Sequence, residues 1–250
     1  MARTPGFGVD IGGSGIKACT VDLRNGSLDD ERVRIPTPQP ATPEAVAELV
    51  ATITGEFGWH APMGVTLPCV LKNGIALTAA NVDQAWKGTD AATLFSEYCR
   101  VPVVVLNDAD AAGLAEMRFG AGSDRDGVVL LLTFGTGIGS ALFVDGELVP
   151  NTELGHLQVD GTDAEDRASA AARDDEALSW PDWAARVSHY LQVLEELIWP
   201  DLIIAGGGVS KRADKWLPLV ECRTPVVPAA LRNDAGIVGA AAAAAEGRVR

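Results

Sequence analysis

The sequence predicts an α/β protein of two lobes. Two observations carry this: strand-like and helix-like apolar patterns alternate along the chain, and one glycine-rich device occurs twice, about half the chain apart. The copies are Asp10-Ile11-Gly12-Gly13-Ser14-Gly15-Ile16-Lys17 and Thr133-Phe134-Gly135-Thr136-Gly137-Ile138-Gly139-Ser140. Each follows an apolar run, Phe7 to Val9 or Val128 to Leu132, and each leads into another apolar stretch. Glycines at this density let backbone N–H groups close around an anion, because no Cβ blocks approach or forbids positive φ. One such turn is also what a tight hairpin wants. Two point to a duplicated phosphate clamp with a ligand held between two lobes, and hence to phosphoryl transfer.

The elements follow in order. Ile16 to Leu23 continues the first hairpin, and Ile35-Pro36-Thr37-Pro38-Gln39-Pro40 is too proline-rich for an inner strand. Thr42 offers an N-cap with Pro43 at the first helical position, and Val46, Leu49, Val50, Ile53 and Phe57 recur at helical spacing. Met63 to Leu67 is a strand opening a loop-rich region to about Thr89, and Ala91 to Cys99 is a short helix. Val103 to Leu106 is a continuous apolar run of the kind covered on both faces, broken at Asn107-Asp108 before a helix to Phe119. Val128 to Leu132 and Ser140 to Val144 flank the second glycine turn, and Asp145-Gly146 turns into another strand. Ala164 to Arg173 is helical in composition, and Ser179 with Asp182 resembles a capping box before a long helix. Leu202 to Ala205 is a buried strand, from which Gly206-Gly207-Gly208 leads into a helix near Lys211. The lobe boundary is placed near residue 107, giving lobes 1–106 and 107–250. A return of the final helix, from Ile237, onto the N-terminal lobe stays open, so the division need not be clean.

Composition narrows the class. With 250 residues, 47% hydrophobic and 22% charged, the chain buries a substantial core. A net charge of −14 argues against a general nucleic-acid or anionic-membrane binder, while leaving room for a local basic strip. Cys19, Cys69, Cys99 and Cys222 lie far apart, with no C-x-x-C pair, as in a reducing compartment rather than a disulfide frame or zinc site. There is no signal-like apolar core at the start and no run of about eighteen apolar residues. A soluble cytoplasmic protein is the expectation.

No Gly-Lys dipeptide is present, so there is no Walker A loop, and neither H-R-D nor D-F-G occurs. The two turns, Asn107-Asp108, Glu153-Leu154-Gly155-His156 and Ile204-Ala205-Gly206-Gly207-Gly208-Val209-Ser210 instead occur in an order and at intervals that resemble the ROK family of sugar kinases. Leu132 to Ala141, Pro150 to His156, Arg167 to Arg173, Trp199 to Ile204 and Asn233 to Ala240 are similar to its polyphosphate-using glucokinases. The resemblance spans nearly the whole chain. It implies the actin-like ATPase (ribonuclease H-like) fold with an active-site cleft between the lobes. It also implies a homodimer that transfers the terminal phosphoryl group of inorganic polyphosphate, with ATP as a second donor, to the 6-hydroxyl of glucose.

Site residues are carried over on matching positions. A carboxylate within reach of a sugar hydroxyl accepts its proton as the bond to phosphorus forms; Asp108 sits where that base stands in the family, although by position alone an Asp before a helix is equally an N-cap. The resemblance implies that Asn107 hydrogen-bonds a ring hydroxyl, that Glu153 and His156 grip adjacent hydroxyls, and that Glu165 is a further sugar contact. For Glu165 a solvated helix-face role is the alternative, and Asn81 is a weaker sugar-loop candidate. Gly12, Gly13, Ser14, Gly15, Lys17, Thr133, Gly135, Thr136, Gly137 and Gly206 to Gly208 are candidates for the phosphate donor. Asp10 is the candidate magnesium organiser, since a hard cation that retains waters suits a carboxylate beside phosphate oxygens; its alternative is turn capping. Many ROK proteins bind zinc through cysteines after the Gly-His pair, but Gln158 to Arg173 contains none, so no structural zinc is expected.

Polyphosphate needs cations along a groove. Lys211, Arg212 and Lys215, with Arg167 and Arg173, form a candidate track, though each alone reads as a solvated helix residue. The nearest rival activity is an ATP-only ROK hexokinase acting on glucose or mannose. A non-catalytic sugar-sensing module is disfavoured because only six residues precede Phe7 and Asp108 is intact. A polymerising actin-like ATPase would have no use for Glu153 and His156.

Overall fold

Strand β1 (Pro5–Gly12) runs antiparallel to β2 (Gly15–Asp22), from Pro5 opposite Asp22 to Gly12 opposite Gly15, with Gly13 and Ser14 at the tip. This is a computed structural model, describing residues 4–79 and 82–247. Short strands β3 (Ser27–Leu28) and β4 (Val33–Ile35) both pair with β2. Helix α1 (Pro43–Glu56) starts where the sequence predicts, the Thr42 hydroxyl accepting from the Ala45 N–H at 3.3 Å. Strand β5 (Met63–Leu67) is parallel to β1. A two-stranded ribbon, β6 (Leu71–Lys72) with β7 (Ile75–Ala76), and helix α2 (Ala91–Cys99) lead to β8 (Val103–Asn107), parallel to β5. Helix α3 (Asp108–Phe119) begins at the next residue. The first sheet therefore runs β3-β2-β1-β5-β8, with β4 beside β2.

The second sheet repeats that plan. Strands β9 (Val128–Phe134) and β10 (Ile138–Val144) form its hairpin, and β11 (Glu147–Val149) pairs outside β10. A small ribbon follows, β12 (Gln158–Val159) against β13 (Thr162–Asp163). The stretch read as one helical segment is two: α4 (Ala164–Ala168) and α5 (Ala170–Asp175). The break is at Ser169, which is extended and whose hydroxyl caps the Ala172 N–H, the competition with helix that serine favours. Helix α6 (Trp180–Ile198) is capped by Ser179, as expected. Strand β14 (Leu202–Gly206) is parallel to β9, and after the short α7 (Ala213–Trp216) strand β15 (Val226–Pro228) is parallel to β14. The order is β11-β10-β9-β14-β15.

The chain closes with α8 (Ala235–Ala245), which packs on the first sheet. Period two along a strand explains how. Phe7, Val9, Met63 and Val65 face the core that holds Val46, Val50 and Ile53 of α1. Gly8 and Gly64 face the other way, where a Cβ would collide with the Ile237 and Ala240 carbonyls of α8. The glycines and the alanine-rich helix let backbone meet backbone. One compact unit lies within Met1–Ala115 and Asp234–Arg250, and the other is Glu116–Asn233. The core of the second packs Leu130, Leu132 and Ile203 against Trp183, Val187, Leu191 and Leu194 of α6. No helix among the described residues is long and apolar enough to cross a membrane.

Candidate functional site

In the first unit the chemistry gathers at the strand ends. Asp10 and Lys17 stand opposite each other in the β1–β2 register, and the Lys17 ammonium donates to Asp10 Oδ2 at 2.8 Å. Asp10 Oδ1 accepts from the Thr66 hydroxyl on β5 at 3.0 Å, and the same hydroxyl oxygen accepts the Ile11 N–H. The glycine tip is held from behind by Thr37, whose hydroxyl donates to the Gly12 carbonyl at 2.5 Å. The exposed guanidinium of Arg34 on β4 lies against Gly15, its Nη2 3.0 Å from where a Cβ would stand.

Asn107 and Asp108 meet at the junction of β8 and α3. The Asn107 side chain is the helix cap: its Oδ1 accepts the Ala109 and Asp110 N–H groups at 2.8 and 3.2 Å, and its Nδ2 donates to the Cys69 carbonyl. Asp108 is half-buried, and its Oδ1 accepts the Ala109 N–H at 2.9 Å. Asn107 is buried and retains one amide hydrogen.

In the second unit the hairpin turn is built by a Gly135 N–H to Gly137 carbonyl bond of 2.9 Å, and the Gly135 carbonyl accepts from Ala171 at the start of α5. Gly206 pairs in register with Thr133, and Gly207, at φ +81°, lies so close to the Phe134 backbone that a side chain would collide with it. The third glycine cluster therefore adjoins the second turn. The Phe134 ring beneath is wedged edge-on against Trp183 and Trp216, at 5.9 and 5.6 Å. Lys211, Arg212 and Lys215 follow, all exposed. Arg173 is engaged elsewhere, stacked on Trp180 at 3.7 Å and paired with Asp174, while Arg167 reaches Asp160 at 4.0 Å.

The same unit brings Glu153, His156 and Glu165 together. Glu153 precedes a 3-10 turn, Leu154–His156, anchored by the Ser140 hydroxyl, which accepts from the Leu154 N–H, and by Tyr190, which donates to the Leu154 carbonyl. Gly155 touches the Ile138 carbonyl with no room for a Cβ. His156 Nε2 is 3.9 Å from Glu153 Oε2, and its Nδ1 is 3.0 Å from Asp163 Oδ2 and 3.6 Å from Glu165 Oε1. Glu165 Oε2 accepts the Ile138 N–H at 2.9 Å, which ties this cluster to the second glycine turn. The hydrogen bond to Asp163 raises the His156 pKa above its ordinary value, helped by Glu165 and Glu153 and opposed by partial burial. Crowding that displaces water raises Glu153, although 42% of its side chain stays exposed; His156 opposes this shift and Glu165 adds to it.

Asn81 lies outside the described residues. Three contributors were not legible beforehand: Thr66 on Asp10, Arg34 over Gly15, and Asp163 on His156. Asp163 occupies the N-cap position of α4, but its side chain makes no capping bond.

Residues 6–177 match the ROK family. The chain is 56% identical over 239 residues, 95% of it and 90% of the relative, to the polyphosphate glucokinase of Mycobacterium tuberculosis (strain CDC 1551 / Oshkosh). It superposes on the inorganic polyphosphate/ATP-glucomannokinase of Arthrobacter sp. strain KM with a TM-score of 0.94 and 52% identity, covering 98% of this chain and 100% of that one. The ROK family glucokinase of Streptomyces griseus, solved in complex with glucose and AMPPNP, matches with a TM-score of 0.82 and 25% identity, covering 97% and 100%. The two mixed sheets are the two lobes of the actin-like ATPase fold found in ROK kinases. The chain belongs to the ROK family.

Proposed function

We propose that the protein transfers the terminal phosphoryl group of inorganic polyphosphate, with ATP as a second donor, to the 6-hydroxyl of glucose, releasing glucose 6-phosphate. The observation that carries this is 56% identity across 95% of the chain to a polyphosphate glucokinase. The glycine turns and the Glu153–His156–Glu165 group support it independently, since one kind of feature suits phosphate and the other a polyol.

In this reading the 6-hydroxyl oxygen attacks the terminal phosphorus, the bond from that phosphorus to the donor's bridging oxygen breaks, and the hydroxyl proton passes to the Asp108 carboxylate. Such base help is typically worth about 10²–10⁴ in rate. Glu153 accepts from sugar hydroxyls, His156 meets an adjacent one through Nε2, and the remaining Asn107 amide hydrogen serves a third. Amides of the glycine turns, the Lys17 ammonium and the Arg34 guanidinium hold donor oxygens, and Lys211 and Lys215 extend the positive charge along the polymer. In phosphoryl transfer this positioning and neutralisation supply most of the catalysis.

Asp10 fits a magnesium ion held through water. Its carboxylate adjoins the turn, and Gly236 keeps the flank open, because a Cβ there would lie 2.8 Å from Asp10 Cγ. Bound there, the ion would neutralise charge on donor oxygens.

A coupled glucose 6-phosphate assay with polyphosphate and with ATP, run on the wild type and Asp108→Asn, tests the reading. Turnover with polyphosphate that collapses in the variant is expected; turnover with ATP alone removes the polymer from the reading, and an equally fast variant removes Asp108. Mannose belongs in the same assay, because the Arthrobacter enzyme is a glucomannokinase by name.

A further inference from the structure

We propose that Asp163 is a positioning residue of the sugar grip: it holds the His156 ring through Nδ1, leaving Nε2 as the ring nitrogen that meets a sugar hydroxyl. The inference rests on the reading of His156 as a sugar contact.

The chain builds a device for this purpose in eight residues. After His156, β12 and β13 fold back through Asp160 and Gly161, both left-handed at φ 52° and 83°, which is the backbone of a two-residue hairpin turn. The register sets Asp163 opposite Gln158 and returns it beside the histidine. Its two carboxylate oxygens are then divided. Oδ2 meets His156 Nδ1 at 3.0 Å, and Oδ1 accepts from the Gln158 side-chain amide, which keeps the carboxylate from rotating. The position is the N-cap of α4, where an aspartate ordinarily accepts a backbone N–H; here it makes no such bond. Its side chain serves the histidine instead.

The geometry decides which nitrogen does what. A carboxylate accepts only, so the proton of a neutral ring paired with Asp163 resides on Nδ1, and Nε2 carries the lone pair. Protonation adds a hydrogen at Nε2 without disturbing the Nδ1 bond. Three carboxylates face the ring: Asp163 from β13, Glu165 from the first turn of α4, and Glu153 from the segment before the 3-10 turn. Glu165 is committed to the Ile138 N–H through Oε2 and lies farther from Nδ1 than Asp163 does. Glu153 is on the opposite side, at Nε2, where the substrate hydroxyl is expected. Asp163 is thus the group that orients the ring without occupying its reactive edge.

The test uses the full-length protein and Asp163→Asn. Histidine-selective ¹H–¹⁵N NMR without sugar should show the wild-type neutral ring protonated at Nδ1, titrating above an ordinary histidine. In Asp163→Asn the titration should fall and the Nε2–H form should appear. Glucose affinity by titration calorimetry should weaken roughly tenfold, the size expected for losing one charge-assisted hydrogen bond. KM for glucose should follow, while KM for polyphosphate stays put. Asp163→Glu, which keeps the charge, should restore the raised titration and separates the effect from misfolding. Identical tautomer and titration in wild type and Asp163→Asn overturn the proposal, as does unchanged glucose affinity. A wild type that binds glucose but forms no glucose 6-phosphate refutes the proposed reaction while the binding comparison still supports the role of Asp163.

Discussion

The Lys17 ammonium sits 2.8 Å from the Asp10 carboxylate across the first hairpin, where the two residues are directly opposed in register. Their side chains are only 25% and 15% exposed, so the cost of taking both charges out of water offsets much of their attraction, and the intact pair adds little net stability. Its consequence lies with the anion, because the Lys17 charge beside the turn is already neutralised until something draws it away. Lys17→Met should lower the melting temperature, because it leaves the mostly buried Asp10 carboxylate without its cation, and should raise KM for polyphosphate by roughly tenfold or more, the cost of a lost charge-assisted contact. A melting point that drops while KM holds would make the pair structural.

Asp108→Asn is isosteric and keeps an acceptor for the Ala109 N–H. It should lower kcat by about 10²–10⁴, with glucose affinity by calorimetry preserved. Helix α3 should persist, since Asn107 provides the cap.

The cluster around His156 predicts a direction with pH. His156 has a folded pKa raised above 6.5, chiefly by Asp163. The folded state then binds the proton more tightly than the unfolded chain, and the stability this supplies is full below pH 6.5 and lost as pH rises through the raised value. Glu153, raised above 4.5 mainly by lost hydration, acts with the same sign from a lower pH. Melting temperature should fall across that range, and Asp163→Asn should flatten the histidine part. Glucose KM should rise as acid protonates Glu153, at a pH above the ordinary glutamate range.

Glycines test the packing of α8. Gly64→Ala places a methyl group against the Ala240 backbone and should destabilise by about 1–3 kcal/mol or more. Gly55→Ala, on the exposed side of α1 with nothing within 4 Å of its added carbon, should stabilise by roughly 0.5–1 kcal/mol. Denaturant midpoints of the two variants should move in opposite directions.

Charge reversal at Lys211 and Lys215 should weaken polyphosphate use more than ATP use, because a long anion meets more of the strip than a nucleotide does. Equal loss on both donors counts against a track. Arg173, already paired with Asp174 and stacked on Trp180, should matter less to donor choice and more to stability.

What could be read along the chain was what neighbours along the chain decide. Apolar runs set the strands, Thr42 and Ser179 announced their helices, and the glycine turns marked both hairpins. The repeated order Asn107-Asp108, Glu153 to His156 and Gly206 to Gly208 carried the family. Composition alone missed the break at Ser169, because a serine hydroxyl that recaps the next helix competes with the helix it interrupts.

Tertiary structure decided the rest. Thr66 reaches Asp10 from 56 residues away, through the parallel register of β1 and β5. Ala235–Ala245, almost featureless as a sequence, finds its seat because Gly8 and Gly64 present bare backbone on one face of the sheet. Asp163, at the head of α4, is carried back to His156 by a two-residue turn. Propensity and periodicity are local quantities, whereas these partners are chosen by register and close packing, which exist only once the sheets have formed.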